Sequence, residues 1–294
     1  MKHIKFVAIS AFAMLISFGQ SQAIAQSSST TYNRIDKVMD WGATTTHLIV
    51  DLGDEVRRGR VDEDTFSVHV RRSDDRLEEP FLEEGTRNVV DAYISDENGN
   101  AVRTGRYATL VMEIGPSISL GNALNYGRDP EVGRSINAWS HNEYTITQQE
   151  PIRGIDGTLV ASEMDQYLQP GISQYEFDSA SYEDEEYGLI EMQYAHFSPE
   201  EDSGQNPLII WLHGGGEGGT DPTIPLAGNR ADAFASEETQ VYFGGAYVLV
   251  PSLLHAGCMD QRVNRAAVKR RMHFRYIQMH FRILWKLLSL RDLI

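Results

Sequence analysis

The feature that most constrains the fold is a change of hydrophobic pattern along this chain of 294 residues. Between residues 36 and 150, short segments carry apolar residues at the period of a β-strand, and no helical period appears. Asn98-Gly99-Asn100 separates two of these segments and is typical of a hairpin turn. The predicted strands lie in 44–53, 64–72, 88–96, 106–114 and 141–149. This spacing predicts a β-sandwich over residues 30–150.

Farther along the chain, the apolar residues become continuous. Residues 207–212 and 245–251 are short apolar runs, which predict strands buried on both faces, as in a parallel sheet. Residues 225–236 lie between them and combine helix-forming residues with one apolar face. A strand, a loop, a helix and a second strand form the beginning of an α/β domain. We therefore predict the N-terminal part of such a domain over residues 177–251.

Two segments between these parts lack a clear apolar period. Residues 151–176 are rich in turn residues and are predicted to be a linker. Residues 177–188 are acidic and are predicted to be a solvated loop. A calcium site is the alternative for this loop because Ca²⁺ prefers clustered carboxylates, but the spacing of an EF-hand is absent. No metal ion is predicted.

The N-terminus has the pattern of a secretory signal peptide over residues 1–25. Lys2 and Lys5 form a basic start, residues 4–18 are apolar, and Ala23-Ile24-Ala25 resembles a cleavage site with small residues. The apolar run is shorter than the roughly 20 residues that a membrane helix needs. An uncleaved anchor helix is the alternative. The pattern predicts a secreted or periplasmic protein without a stable membrane span.

Charge and cysteine content narrow the partners and the compartment. The formal net charge is −16, and residues 252–294 hold nine Lys or Arg against two acidic residues, so the part before them is even more acidic. An acidic surface repels the phosphates of nucleic acid, and no nucleic-acid partner is predicted. Cys258 is the only cysteine, so an internal disulfide is excluded and stability must come from packing.

The apolar run 207–212 leads directly into a loop with five glycines, "HGGGEGG" at residues 213–219. A Walker A loop would need a lysine, and the sequence has none between Lys37 and Lys269. A dinucleotide fingerprint would open a helix directly, whereas Thr220-Asp221-Pro222 intervenes here. A purely structural turn remains an alternative.

The histidine before the glycines favours a third interpretation. An HGGG sequence after a buried strand matches the oxyanion-loop motif of lipases and esterases. In such a loop, preorganised backbone N–H groups lie about 3 Å from the oxygen that becomes negative in the tetrahedral intermediate. Side chains at Gly215 or Gly216 would block that approach.

The wider stretch is similar to a known family. "PLIIWLHGGGEGGTDPTIPLAGN" and "AYVLVP" resemble exported α/β-hydrolase esterases with an Ig-like N-terminal domain, of the feruloyl-esterase and polyhydroxybutyrate-depolymerase type. "VDLGDEV", "DTFSVHV" and "VVDAYISDENGNAV" resemble that Ig-like domain. The resemblance covers residues 33–251. It implies a serine carboxylic-ester hydrolase for small-molecule or polymeric esters, with no metal or organic cofactor.

The resemblance also implies roles for individual loop residues. Gly215 and Gly216 would supply the N–H groups of the oxyanion hole. His213 and Gly214 would shape the loop, and the histidine would not be the catalytic base, since that residue comes last in chain order in this fold. Glu217 and Asp221 would hold the loop through hydrogen bonds, with a solvated Glu217 as the alternative.

The chain departs from the family after Pro251. No G-x-S-x-G nucleophile elbow occurs anywhere in the sequence, and neither the acid nor the base of a triad can be assigned. Without them, covalent acyl transfer lacks its central step, and we predict that the chain is inactive. An Ig-like binding or interaction module and a nonfunctional fragment are the alternative functions.

Residues 252–294 differ in kind from the rest of the chain. A two-base offset in the reading frame permits Ser-Pro-Thr-Cys-Trp-Met and then Tyr-Thr-Asp-Ala-Leu, both similar to the family. We therefore predict that this tail is an out-of-frame translation that truncates the hydrolase domain. The alternative is a basic, aromatic-rich segment that lies on an anionic membrane surface.

Overall fold

The computed structural model describes residues 27–184 and 188–253. The predicted signal peptide, Cys258 and all of the predicted tail beyond Leu253 lie outside the described residues. The strands are β1 Ser27–Met39, β2 Gly42–Arg57, β3 Phe66–Ser73, β4 Phe81–Arg87, β5 Val89–Ser95, β6 Thr104–Met112, β7 Leu124–Asp129, β8 Arg134–Trp139, β9 His141–Gln148, β10 Thr158–Leu168, β11 Glu176–Asp184, β12 Gly188–Phe197, β13 Leu208–Ile210 and β14 Tyr247–Pro251. The helices are α1 Ile224–Ala227 and α2 Glu237–Phe243, with 3₁₀ turns at Ser119–Gly121, Ile172–Gln174 and Ala231–Ala235.

The N-terminal unit contains one eight-stranded sheet with the order β4-β3-β9-β10-β1-β2-β6-β5, and β7 and β8 form a separate antiparallel hairpin of the same unit. Residues from both halves of this sheet enter one apolar core, in which Val70 of β3 and Tyr144 of β9 are buried with Ile94 of β5 and Leu110 of β6. The sheet must therefore fold over on itself, which gives the predicted β-sandwich. Two irregularities in the pairing of β1 with β10, beside Thr31 and Asn33, lie at the centre of the strand order, and bulges of this kind bend sheets.

The predicted linker contains a central strand. Within residues 151–176, β10 pairs with β1 in parallel and with β9 in antiparallel orientation. Its apolar period stops after Leu159 and Ala161, which are buried, because the following residues 162–167 are exposed. Turn residues flank the strand on both sides. Because of these turn residues and the short apolar period, the sequence pattern did not predict a strand here. The N-terminal unit therefore extends to β10 rather than ending at residue 150.

The second sheet has the order β11-β12-β14-β13. The acidic segment 177–188, predicted to be a loop, lies mostly in β11, which pairs with β12 in antiparallel orientation. This pairing satisfies the backbone of the segment while the side chain of Asp178 stays exposed. β13 and β14 are parallel, as predicted for the two apolar runs.

The burial of the two apolar runs differs. β14 is buried, with Val248 and Val250 almost inaccessible, whereas Leu208 and Ile210 of β13 are each more than a third exposed. Ile209, between them, packs against the core of the second unit. Within the described residues, β13 is thus a short edge strand with one covered face, and the prediction of burial on both faces is corrected for this strand.

The predicted helix at 225–236 is broken into α1 and a 3₁₀ turn. Asn229 and Arg230 have φ values of 52° and 54°, and left-handed residues end a right-handed helix. α2 follows, capped by Ser236, whose side chain accepts a hydrogen bond from the Thr239 N–H.

The two units share a hydrophobic core. Val38 and Ala43, at the turn between β1 and β2, are buried with Leu226 of α1 and with Val248 of β14. Trp139 of β8 packs against the same cluster, and its indole N–H donates to Thr223 Oγ1 at 2.8 Å. The contact between the units is therefore apolar and buried. Two units joined only by a flexible linker would not share such a core.

Candidate functional site

The glycine loop, defined as residues 213–219, begins three residues after the last residue of β13. Residues 252 and 253, which directly follow the parallel neighbour β14, touch the loop: Gly219 N–H donates to Leu253 O at 3.0 Å, and Ser252 Oγ donates to Gly219 O at 2.9 Å. The loop thus lies at the carboxyl ends of two parallel strands, where open α/β sheets place their ligand sites.

His213 bridges the two strand ends with both ring nitrogens. Its Nε2 lies 3.0 Å from the Leu253 nitrogen, and its Nδ1 lies 2.7 Å from Gly214 O. Because the Leu253 N–H can only donate, Nε2 must be the unprotonated nitrogen, and Nδ1–H donates to Gly214 O. Burial lowers the pKa of the ring below its usual value, which also favours the neutral form. Both nitrogens are therefore engaged within the protein.

Glu217 is buried beneath the loop with 8% of its surface exposed. Its Oε2 accepts a hydrogen bond from the Gly214 N–H at 2.8 Å, and its own N–H donates to Gly214 O at 3.1 Å. Asn229 Nδ2 lies 3.4 Å from Oε1. The solvated alternative for Glu217 is thus absent from this structure, and its carboxylate closes the first turn of the loop.

Asp221 forms its hydrogen bonds with the segment that follows the glycine loop. Its Oδ1 accepts from the Thr223 N–H at 2.9 Å and from Thr223 Oγ1 at 2.6 Å, just before α1. Thr223 Oγ1 in turn accepts from Trp139. Asp221 therefore orders the turn that follows the glycine loop rather than the glycines themselves.

The amides of Gly215 and Gly216, the predicted oxyanion donors, have no hydrogen-bond acceptor among residues 27–184 and 188–253. In a planar trans peptide, the N–H points opposite to the carbonyl that precedes it. Gly214 O is held by His213 and Glu217, and Gly215 O accepts from Arg134 Nη2 at 2.6 Å. The N–H groups of both glycines therefore point away from these donors.

The space at the two glycines differs. A Cβ added at Gly215 would meet no atom of the described residues within 4 Å, whereas one at Gly216 would lie 2.7 Å from the ring of Tyr126. The space at Gly215 lies on the side of the backbone where a Cβ atom would project, and a ligand could approach there. Packing of the protein accounts for glycine at position 216 but not at position 215.

Packing also requires glycine at positions 218 and 228, for which the sequence motif predicted no role. A side chain at Gly218 would collide with Leu253 O, and one at Gly228 would collide with the Glu217 carboxylate. The run of glycines was the sequence signal that another part of the backbone, here Leu253, passes close to residue 218. The β7–β8 hairpin, which supplies Arg134, was not predicted, and no local signal in the sequence connects it with the loop.

Ser252 lies at the site but is not presented as a nucleophile. Its side chain is inaccessible, its hydroxyl donates to Gly219 O, and its N–H donates to Gln193 O. Ser252 is the first residue of the predicted out-of-frame tail, residues 252–294. In the structure, Ser252 and Leu253 complete the support of the loop.

Metal-binding clusters and membrane-spanning helices were the other features sought in the described parts of the chain. Over residues 27–184 and 188–253, no three His, Cys, Asp or Glu side chains come close enough together to hold a metal ion. Among the helices in these ranges, none has the length and apolar content needed to cross a membrane.

Comparisons with known proteins agree with this architecture. Residues 31–161 match the family described as the esterase Ig-like N-terminal domain. The structure is similar to one described as a thermostable esterase, with a TM-score of 0.58 and 22% sequence identity over 76% of this chain. The chain spans 57% of the length of that esterase, and the likeness shows a shared fold. A search of curated proteins gave no significant match.

Proposed function

We propose that this chain belongs to the exported serine carboxylic-ester hydrolases and that its glycine loop is their oxyanion site. The observation that carries the proposal is the pair of amides of Gly215 and Gly216, which have no acceptor in the part of the chain that the structure describes and lie at the carboxyl end of a parallel strand pair. The match of residues 31–161 to an esterase-associated domain supports the same assignment. Under this proposal, β12 to β14 with α1 and α2 are the N-terminal part of an α/β-hydrolase domain.

The chemistry that these amides serve is stabilisation of a developing negative charge. When a nucleophile attacks an ester carbonyl, the carbonyl oxygen becomes an oxyanion, and two preorganised N–H donors lower the energy of that state. Loss of one such donor typically lowers kcat by about 10²- to 10³-fold. The hydrogen bonds of His213 and Glu217 hold the loop before substrate binds, so no reorganisation is needed during the reaction.

We also propose that the chain as sequenced does not turn over esters. The sequence contains no G-x-S-x-G elbow. Ser252 is buried, and its hydroxyl donates a hydrogen bond to Gly219 O. The change of charge and pattern in residues 252–294 supports an out-of-frame tail. Export to the periplasm or the medium is proposed from the pattern of residues 1–25, and the substrate is proposed to be a small-molecule or polymeric ester.

Hydrolysis of short p-nitrophenyl esters tests this function in two forms of the protein. We expect the chain as sequenced to release no product above a heat-denatured control. We expect a second form, translated with the two-base offset from codon 252, to hydrolyse these esters until a serine-directed phosphonate inactivates it. Hydrolysis by the first form that the phosphonate abolishes would contradict its inactivity. An inert but folded second form would contradict the assignment to this family.

A further inference from the structure

We propose that the β7–β8 hairpin of the N-terminal unit is a positioning element of the glycine loop, with Arg134 as the positioning residue for the Gly216 N–H. The proposal rests on the proposed function because the direction of this amide matters only if it binds an oxyanion. The direction itself can be measured without any reaction.

The hairpin is fixed to the sandwich by a buried polar cluster at its base. Asp74 is almost fully buried, and its Oδ2 accepts from Asn125 Nδ2 at 2.8 Å and from Arg76 Nη2 at 2.7 Å. Arg76 also donates to the backbone carbonyls of Asn125 at 3.3 Å and of Ile136 at 3.4 Å, one in each strand of the hairpin. The N-terminal unit thus determines where the hairpin lies.

The far side of the hairpin contacts the glycine loop at three points. The Asn137 N–H, on the edge of β8, donates to Gly216 O at 2.7 Å. Arg134 Nη2 donates to Gly215 O at 2.6 Å. The ring of Tyr126 lies against Gly216 so closely that a methyl group there would overlap it. Two consecutive loop carbonyls are therefore held by the other unit.

These contacts select one of two orientations for each peptide. Glycine tolerates the dihedral angles on both sides of a peptide flip, so a run of three glycines has little orientation preference of its own. A flip of the Gly215–Gly216 peptide would turn its carbonyl toward the oxyanion position and its N–H away. It would also break the charge-assisted bond from Arg134, which is stronger than a neutral one. Arg134 therefore favours the orientation in which the Gly216 N–H is available.

The test uses the full chain as it exists, labelled with ¹⁵N, and the ¹H–¹⁵N resonances of Gly215 and Gly216. Arg134→Met removes the donor, Arg134→Lys retains one, and Arg128→Met removes the same charge from an exposed position on the same hairpin. We expect R134M to shift or broaden the Gly216 resonance, R134K to move it back toward its original position, and R128M to leave it unchanged. The thermal midpoint should be similar in all variants because Arg134 is exposed. Identical Gly216 resonances in R134M and R128M would overturn the proposal.

A titration with acetate separates this proposal from the proposed function. The acetate carboxylate stands in for the oxyanion, and we expect it to shift both glycine amides. If R134M lets the flipped peptide become populated, the apparent acetate affinity should fall by about twofold to tenfold, in proportion to the competent fraction. An altered Gly216 resonance in R134M, without any response to acetate in the unchanged chain, would support positioning by Arg134 and contradict the oxyanion site.

Discussion

His213 couples its protonation state to folding because both of its ring nitrogens are used within the protein. Nε2 accepts the Leu253 N–H, so a proton on that nitrogen would place two donors against each other. Burial is the main cause of the lowered pKa, and the nearby Glu217 opposes it. The unfolded chain, in which the ring has its ordinary pKa, therefore binds this proton more readily than the folded protein.

The pH dependence of unfolding follows from this difference. The contribution of the neutral His213 is complete above the ordinary histidine pKa of about 6.5 and is lost as the pH falls below it. Asp232 acts in the opposite direction, because burial raises its pKa to about 6, so that acidification from pH 6 to 4 stabilises the folded state. In Asp232→Asn protein, we expect the free energy of unfolding to decrease as the pH is lowered from 7.5 to 5.5. The additional substitution His213→Asn should make that decrease smaller.

Thermal or urea unfolding across this pH range measures the effect. The matched control is His69→Asn, also in the Asp232→Asn background, since His69 is an exposed residue of β3. Equal pH slopes with and without His213 would contradict its role as a neutral bridge between the strand ends.

At the scale of elements, β10 shows where periodicity is a poor guide. The strand lies between β9 and β1 in the sheet, yet only its first four residues, 158–161, alternate between partly exposed and buried positions. The strands at 44–53, 64–72, 88–96, 106–114 and 141–149 were predictable because each alternates or is bounded by turns. β10 is determined by the neighbours that it pairs with, which a local pattern does not contain.

A pair of fragments tests the importance of β10. Residues 27–150 lack this strand, so the sheet would separate into β4-β3-β9 and β1-β2-β6-β5 with two new unpaired edges. We expect this fragment to show no cooperative unfolding transition by circular dichroism. Residues 27–170 retain β10 and should unfold cooperatively. A cooperative transition in the shorter fragment would contradict the central position of β10.

At the scale of the whole molecule, the shared core makes the two units interdependent. Val38, Ala43 and Trp139 come from the N-terminal unit but pack with residues of the second sheet and α1. An independent Ig-like binding module, the alternative function, would expose more of these side chains to solvent. The same contacts carry the hairpin that touches the glycine loop.

Truncation of Trp139 tests this interdependence. Replacing a buried Trp by Ala typically costs about 3–5 kcal/mol, and since Trp139 is only half-buried we expect Trp139→Ala to lower the free energy of unfolding by about 2 kcal/mol or more. Because the core is shared, hydrogen exchange should also accelerate at Val248 and Val250 of β14. Trp41→Ala is the control, since Trp41 is 40% exposed. Unchanged exchange in β14 would show that the two units fold independently.

The sandwich of short strands, and the parallel strand pair that follows it with a glycine loop, could be predicted from residue patterns alone. These features are local, because apolar period, turn residues and glycine runs act on neighbouring residues. Three features depend on tertiary packing: β10 completes the sandwich, β13 lies at the edge of the described sheet, and Arg134 and Asn137 hold the loop carbonyls. The donors and their acceptors lie about 80 residues apart in the chain, and contacts at that separation depend on how the two units pack rather than on any local pattern.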